Sequence, residues 1–389
     1  MERQRESIHV GAGVVAALVG YTSSFAVVLT GLRAVGATPN EASSGLLMLC
    51  VAQTVGIVWL ARRYRRPIIL VWSTPGAALL AGTGLVDGGW AAAVGAFAVV
   101  GVLYVLTGLW PLLGRLIGHI PPPVAQAMLA GVIVELCLAP VTSAVATPIA
   151  ILPIIAAWLI GVRYFARWAV PVAFVVAAVV IGVDLVRRGE SIASSELLPR
   201  VELTTPHLTW AAIVGIAIPL YVVTMASQNV PGVAIMRSYD FEVPWRASMV
   251  TTGVGTSVAA IAGGHSVNLA AISAALAAGP DGGPDPQQRW RTAQWAGVAY
   301  LLLGLASTAI AALVAVAPVG VIETVAGLAL LGTLAGALKA TVDRTDTREA
   351  AVVTFLVAAS GITIVGVGAA FWAILTGLTV HAVLSRRPA

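Results

Sequence analysis

Three titratable residues lie deep in apolar stretches of this sequence: His265, Glu135 and Glu323. An imidazole, with an ordinary pKa of about 6.5, could bind a proton or donate to a carboxylate; a neutral ring satisfied by backbone is the alternative for His265. Burial favours the neutral form of a carboxyl group, so Glu135 and Glu323 are further candidates to carry a proton, with hydration at a span end the alternative for Glu323. The sequence contains no phosphate-binding Gly-Lys-Ser/Thr run, no paired-histidine zinc signature and no Gly-x-Ser-x-Gly elbow. Cys50 and Cys137 both sit in apolar runs, where packing accounts for them better than a disulfide or a thiolate metal site. The chemistry on offer is proton binding and solute binding, with no catalytic residue, metal or cofactor expected.

Two unusual stretches position that chemistry. Ile68 to Thr74 is β-branched and extended in character, and Pro75-Gly76 then opens an Ala/Leu helix, proline being favoured in a first helical turn. Ala262 to Val267 precedes Asn268, which can cap a helix from Leu269 to Ala278. Each stretch reads as a strand followed by a half-helix. About 11 helical residues rise only about 17 Å, so each half-helix starts near the middle of a bilayer. The two N-termini, near Thr74 to Ala77 and Ser266 to Ala270, would offer unpaired N–H groups and positive dipole ends to a carboxylate. Kinks or close-packing sites are the alternative for Pro75, Gly76, Gly263 and Gly264.

The surroundings are lipid. Hydrophobic residues make up 59% of the chain and charged residues 10%, with mean hydropathy +0.94, more apolar surface than a soluble fold can hide. The runs are long and continuous, without the alternation of barrel strands, so helices must span. Fourteen spans are predicted, at 10–34, 43–61, 68–86, 90–110, 122–140, 148–164, 168–186, 208–228, 246–261, 262–279, 292–314, 317–338, 349–367 and 369–385. With a cytoplasmic N-terminus, eighteen of the 22 Lys and Arg fall inside, among them Arg3, Arg5, Arg115, Arg167, Arg386 and Arg387; Arg33, Arg187, Arg188 and Arg200 fall outside. A missed span would invert every later loop and spoil that asymmetry, so both termini are expected in the cytoplasm. The net charge of +5 therefore reports topology, and no nucleic-acid partner is expected. The loop from Arg187 to Pro206, which also holds Glu190, Glu196 and Glu202, reads as a solvated hinge between two halves of seven spans in inverted topology.

Thr74-Pro75-Gly76-Ala77-Ala78-Leu79-Leu80 after the basic Arg62 to Pro67 loop, Val223 to Gly232, and Asn268-Leu269-Ala270-Ala271-Ile272 before Gly279-Pro280 together resemble the benzoate/proton symporter family over nearly the whole chain. The resemblance implies an all-α membrane protein with a seven-plus-seven inverted repeat like that of uracil permeases. Residues 1–112 and 207–315 would form a core domain and 113–206 and 316–389 a gate domain, placing Glu135 and Glu323 on the gate. It also implies elevator-like, proton-coupled uptake of a small aromatic carboxylate through a bacterial inner membrane, with lipid as surroundings and homodimer assembly left open.

In that picture the substrate sits among the half-helices (Ser73, Thr74, Gly76, Ala77, His265, Ser266, Asn268, Leu269), the first span (Tyr21, Thr22, Ser23, Ser24, Phe25) and the eighth (Ser227, Gln228, Asn229). Tyr21 and Phe25 would flank the ring while amides and hydroxyls bind the polar end. Interhelical packing and back-bonding to the previous turn compete for the hydroxyls. Adjacent amides near Pro231-Gly232 are costly in lipid without partners. Nucleobase permeases typically carry acidic residues where this chain has Gln228 and Asn229; a carboxylate there would repel benzoate, so the departure favours an anionic substrate.

Overall fold

The computed structural model describes residues 2–110, 121–189, 197–270, 272–365 and 367–385. Arg115, Glu190, Glu196, Arg386 and Arg387 lie outside them, as do the side chains of Arg3, Arg5 and Arg167. The first span is two helices, α1 (Glu2–Thr22) and α2 (Phe25–Ala34), separated by a turn at Ser23-Ser24. α3 (Pro39–Tyr64) starts at a reciprocal cap: the Glu41 N–H donates to the Thr38 hydroxyl and the Thr38 N–H to the Glu41 carboxylate. β1 (Leu70–Trp72) leads into α4 (Thr74–Thr83), followed by α5 (Gly89–Leu109). Then come α6 (Pro122–Ala146), α7 (Pro148–Tyr164) and α8 (Ala169–Arg188).

The second half opens with α9 (Trp210–Ser238) and α10 (Trp245–Ala260). β2 (Val267–Leu269) precedes the short α11 (Ile272–Ala278). The chain continues through α12 (Trp290–Leu305), α13 (Ser307–Ala315), α14 (Val321–Val342) and α15 (Arg348–Ala359). A hairpin of β3 (Thr363–Ile364) and β4 (Val367–Gly368) precedes α16 (Ala369–Leu384). Among the described residues seven helices have the length and hydropathy to cross a membrane, and the pair α12–α13, bent by 45°, makes an eighth.

Packing sorts these elements. α1, α3 and α12 pack together, as do α5 with α10 and α2 with α4; α6, α14, α15 and α16 form another group, and α7 packs on α8. α2 meets α14 and α4 meets α6 where the groups touch. Two glycine contacts let backbones approach within the first group. A Cβ on Gly101 of α5 would lie 2.6 Å from the Gly253 carbonyl of α10, and one on Gly31 of α2 would lie 2.2 Å from the Ala77 carbonyl of α4.

Basic residues of separate loops gather at one end. The Arg65 guanidinium lies 4.4 Å over the Trp290 ring, Arg66 donates to the Glu242 carbonyl, and Arg291 pairs with Glu6 at 3.0 Å. Most described residues of the Arg187 to Pro206 segment are exposed, as expected of a solvated connection, but its backbone is tied down. Its described part is strapped across the first group: the Glu202 N–H donates to Ser44 and the Thr204 N–H to the Ile261 carbonyl, and just beyond it the His207 N–H donates to the Ala91 carbonyl. Backbone donors near lipid need such partners.

Two further expectations are corrected. Asn268 does not cap a helix; it lies in β2 opposite Val71, because β2 pairs antiparallel with β1 and keeps residues 267–269 extended. The eighth span does not stop near 228 but runs on to Ser238, with π-helical turns at Ile213–Ala217 and Met225–Asn229. Pro219 and Pro231 each follow such a turn by two residues. A proline lacks the helical donor and its ring crowds the carbonyl four residues back; a wider turn just before it relieves both.

Candidate functional site

The turn between α1 and α2 follows from its hydroxyls. Thr22 donates to the Leu18 carbonyl at 2.6 Å, and Ser23 and Ser24 both donate to the Gly20 carbonyl at 3.1 Å. Such back-bonding competes with the helical ladder and helps to break it. Ser24 also accepts from the Trp72 indole at 2.8 Å, tying the broken first span to β1.

Beside this turn is a cavity of about 150 Å³. Ser23, Thr74 and Gln228 line it, joined by Trp72, Pro75 and Ser273. Ala329 and Thr333 of α14 close the other side, so the cavity lies where the two packing groups meet. Its polar groups are neutral: hydroxyls, a carboxamide and backbone. With an indole beside them, they suit a small solute with an apolar ring and a polar end.

The start of α4 is more fully capped than sequence suggested. The Ser73 hydroxyl accepts from the Gly76 N–H at 3.0 Å, the Ser73 carbonyl accepts from Ala77 at 2.8 Å, and Pro75 has no N–H. The N–H left over in the first turn is that of Thr74. At the other half-helix, Ser273 faces the cavity, while the far end is held by Arg289, a buried guanidinium donating to the Ala278 and Gly283 carbonyls at 2.6 and 2.8 Å. A cation there complements the helix C-terminus. In the sequence alone Arg289 looks like one more basic residue between spans.

Several other candidates form a hydrogen-bonded layer behind the cavity. Ser73 bonds to Thr224 at 2.6 Å, Ser266 to Tyr104 at 3.0 Å, and the Ser73 N–H to the Ser266 carbonyl at 3.1 Å. Asn229 is fully buried; its Oδ1 accepts from the Leu269 N–H at 2.9 Å, fastening α9 to β2. Ser227 donates back to the Val223 carbonyl. Asn268 donates to the Leu269 carbonyl, and its Oδ1 is buried without a partner. His265 is fully buried and donates through Nε2 to the Ser73 carbonyl at 3.0 Å, while its Nδ1 has no partner.

The aromatic residues are also set back. Tyr21 stacks on Phe25 at 5.7 Å and meets Trp72 edge-on at 5.3 Å; Phe25 meets Phe174 of α8 at 4.5 Å. Tyr21 and Phe25 are buried off the cavity wall, and Trp72 is the aromatic residue that reaches it. Glu135 lies elsewhere, in a cleft with Thr83 and Ala369, and Glu323 in a third cleft beside Arg33.

Known proteins place this arrangement. Residues 4–383 match a family model described as benzoate membrane transport protein. Inner membrane protein YdcO of Escherichia coli is 38% identical over 377 residues, covering 96% of this chain and 95% of the relative. The benzoate membrane transport protein of Acinetobacter baylyi is 25% identical over 373 residues, covering 96% and 94%. Among solved structures, the transmembrane domain of a cyanobacterium bicarbonate transporter, BicA, superposes with a TM-score of 0.59 at 15% identity, covering 97% and 96%. The overall structure of SLC26A9 gives 0.66 at 11% identity, covering 99% of this chain and 66% of the other. These likenesses establish the fold.

Proposed function

The chain belongs to the benzoate membrane transport protein family, a family of multi-pass membrane transporters, and from that premise we propose proton-coupled uptake of benzoate or a related aromatic carboxylate across the bacterial inner membrane. The observation that carries the substrate class is the cavity itself: Trp72 beside the donors of Thr74, Gln228 and Ser273, with no fixed carboxylate to repel an anion. The donors alone would also suit a smaller anion, as the likeness to a bicarbonate transporter suggests; the indole favours an aromatic one.

The working architecture is fourteen spans in a seven-plus-seven inverted repeat. Spans one to four and eight to eleven form the core and the rest the gate. Transport is an elevator-like slide of the core along α14, the element that contributes Ala329 and Thr333 to the cavity. The pairing of β1 with β2 supports motion of both half-helices as one unit.

Labelled benzoate should enter proteoliposomes saturably, faster under an inward proton gradient, and be displaced by unlabelled benzoate rather than by uracil or bicarbonate. Uptake no greater than in protein-free liposomes would sink this reading. Both termini are placed in the cytoplasm, a reading supported by the gathering of Arg65, Arg66 and Arg291 at one end. A cysteine at Leu198 should then react with an impermeant maleimide from outside intact cells, and one at Arg65 only after permeabilisation; the reverse pattern would invert the topology.

A further inference from the structure

The transport cavity contains no charged side chain, yet a half-buried arginine stands farther along the same seam. Arg33 stands in the last turn of α2, ten residues beyond Ser23, which places it roughly 15 Å from the cavity. It lines a cleft of about 490 Å³ at the opposite end from Glu6 and Arg291. The cleft is built from both sides of the seam: Leu29, Thr30 and Arg33 on α2, and Ile322 and Glu323 on α14. Both side chains line the one cleft, and among the described residues no salt bridge joins them. Between the cleft and the cavity, α2 and α14 pack together. The seam thus has a cationic cleft at one end and a neutral binding cavity at the other.

We propose that this cleft is a second carboxylate site, in which Arg33 takes the substrate anion as Glu323 takes up a proton. The proposal rests on the transport reading and deepens it. With the cleft empty, the Arg33 guanidinium and the Glu323 carboxylate cancel. When a substrate carboxylate and a proton enter together, the proton bonds to the Glu323 carboxylate and the anion pairs with Arg33, so the cleft is neutral again. An anion entering alone would leave two carboxylates facing one guanidinium, and a proton alone would leave the guanidinium unpaired. Recruitment of substrate with its proton follows from charge balance at two side chains.

Among the described residues, Arg33 is the one cation that shares the cleft with Glu323, and Arg200 lines the adjoining cleft, which meets this one at Ala315. From α6 and the residues after it, the neighbours are hydroxyls: Ser143 lies against Gly320, and Thr147 donates to the Val319 carbonyl. On α8, Asp184 and Arg188 are paired with each other at 2.6 Å, and Arg187 is exposed in the last turn of that helix. The first turn of α13 and its last residues, Val314 and Ala315, bring no charge. Arg163 is in the last turn of α7, remote from Thr147 at its start. Lys339 of α14 is near that helix's C-terminus, and Arg348 and Glu349 of α15 follow beyond it, at the far end of a 22-residue helix.

The test is benzoate uptake as a function of pH in proteoliposomes, with proton uptake on benzoate binding read from an indicator dye in weak buffer. Arg33→Gln should raise the KM about tenfold to a hundredfold with the maximal rate retained, and Arg33→Lys should recover much of the loss. Glu323→Gln, which fixes the neutral form, should flatten the rise in apparent affinity as pH falls and remove the proton taken up with benzoate. Wild-type KM and proton uptake in both Arg33→Gln and Glu323→Gln, alongside active wild-type protein, would overturn the second site alone. Absence of saturable uptake by wild type would instead overturn the transport reading and this site with it.

Discussion

Gln228→Ala is expected to bind benzoate about tenfold to a hundredfold more weakly than wild type while denaturing at the same temperature. Gln228 reaches the cavity from a π-helical turn of α9, so its carboxamide is presented to solute. A hydrogen bond to a charged group contributes roughly 1.5–3 kcal/mol, which converts to that range of affinity. Truncation leaves a space that water can fill, because the cavity is already open to it, and no buried backbone group loses a partner. Benzoate affinity by tryptophan fluorescence or calorimetry, set beside thermal denaturation in the same detergent, decides the matter. Unchanged affinity in folded protein removes the amide from the site.

The neighbouring substitution should behave in the opposite way. Asn229→Ala is expected to lower stability by about 1–3 kcal/mol, because it strands the buried Leu269 N–H that Asn229 Oδ1 accepts at 2.9 Å. The loss should appear as a lower denaturation temperature and a reduced maximal rate, with the KM of the surviving protein little changed. A raised KM with unaltered stability would mean that Asn229 binds substrate after all. The pair of results matters more than either alone, since two adjacent amides of similar chemistry are assigned to different tasks.

That division was not legible in the sequence, for a geometrical reason. Helical periodicity assigns faces only while each residue turns the chain by the same angle, and a π turn inserts a residue and resets the angle for everything after it. Ser227, Gln228 and Asn229 sit inside such a turn, so counting from the start of the span could not say which of them meets the cavity. Tyr21 and Phe25 lie off the cavity wall for a related reason: the break at Ser23-Ser24 turns their rings onto Trp72 and Phe174. By contrast, the strand and half-helix at Trp72-Ser73-Thr74-Pro75-Gly76 were readable, because β-branched residues, a capping serine and a proline all favour the same local geometry. The capping that makes the motif readable also consumes the N–H groups expected to bind an anion, leaving Thr74. Counting charges loop by loop hid Arg289, whose partners are the carbonyls of Ala278 and Gly283.

The pairing of Leu70 with Leu269 bears on how such a chain is made. A strand entering a bilayer alone exposes donors and acceptors that lipid cannot satisfy, and the partner of β1 emerges from the ribosome only after most of the chain has been synthesised. Until then the first half-helix has no stable resting place, and the nascent protein must keep it in water, in the insertion machinery or against other segments. The binding cavity therefore cannot exist in a partly made molecule. Its assembly is a late, long-range closure of the slow kind that high contact order imposes, and a truncated chain ending before β2 should be recognised by quality-control proteases as unfinished.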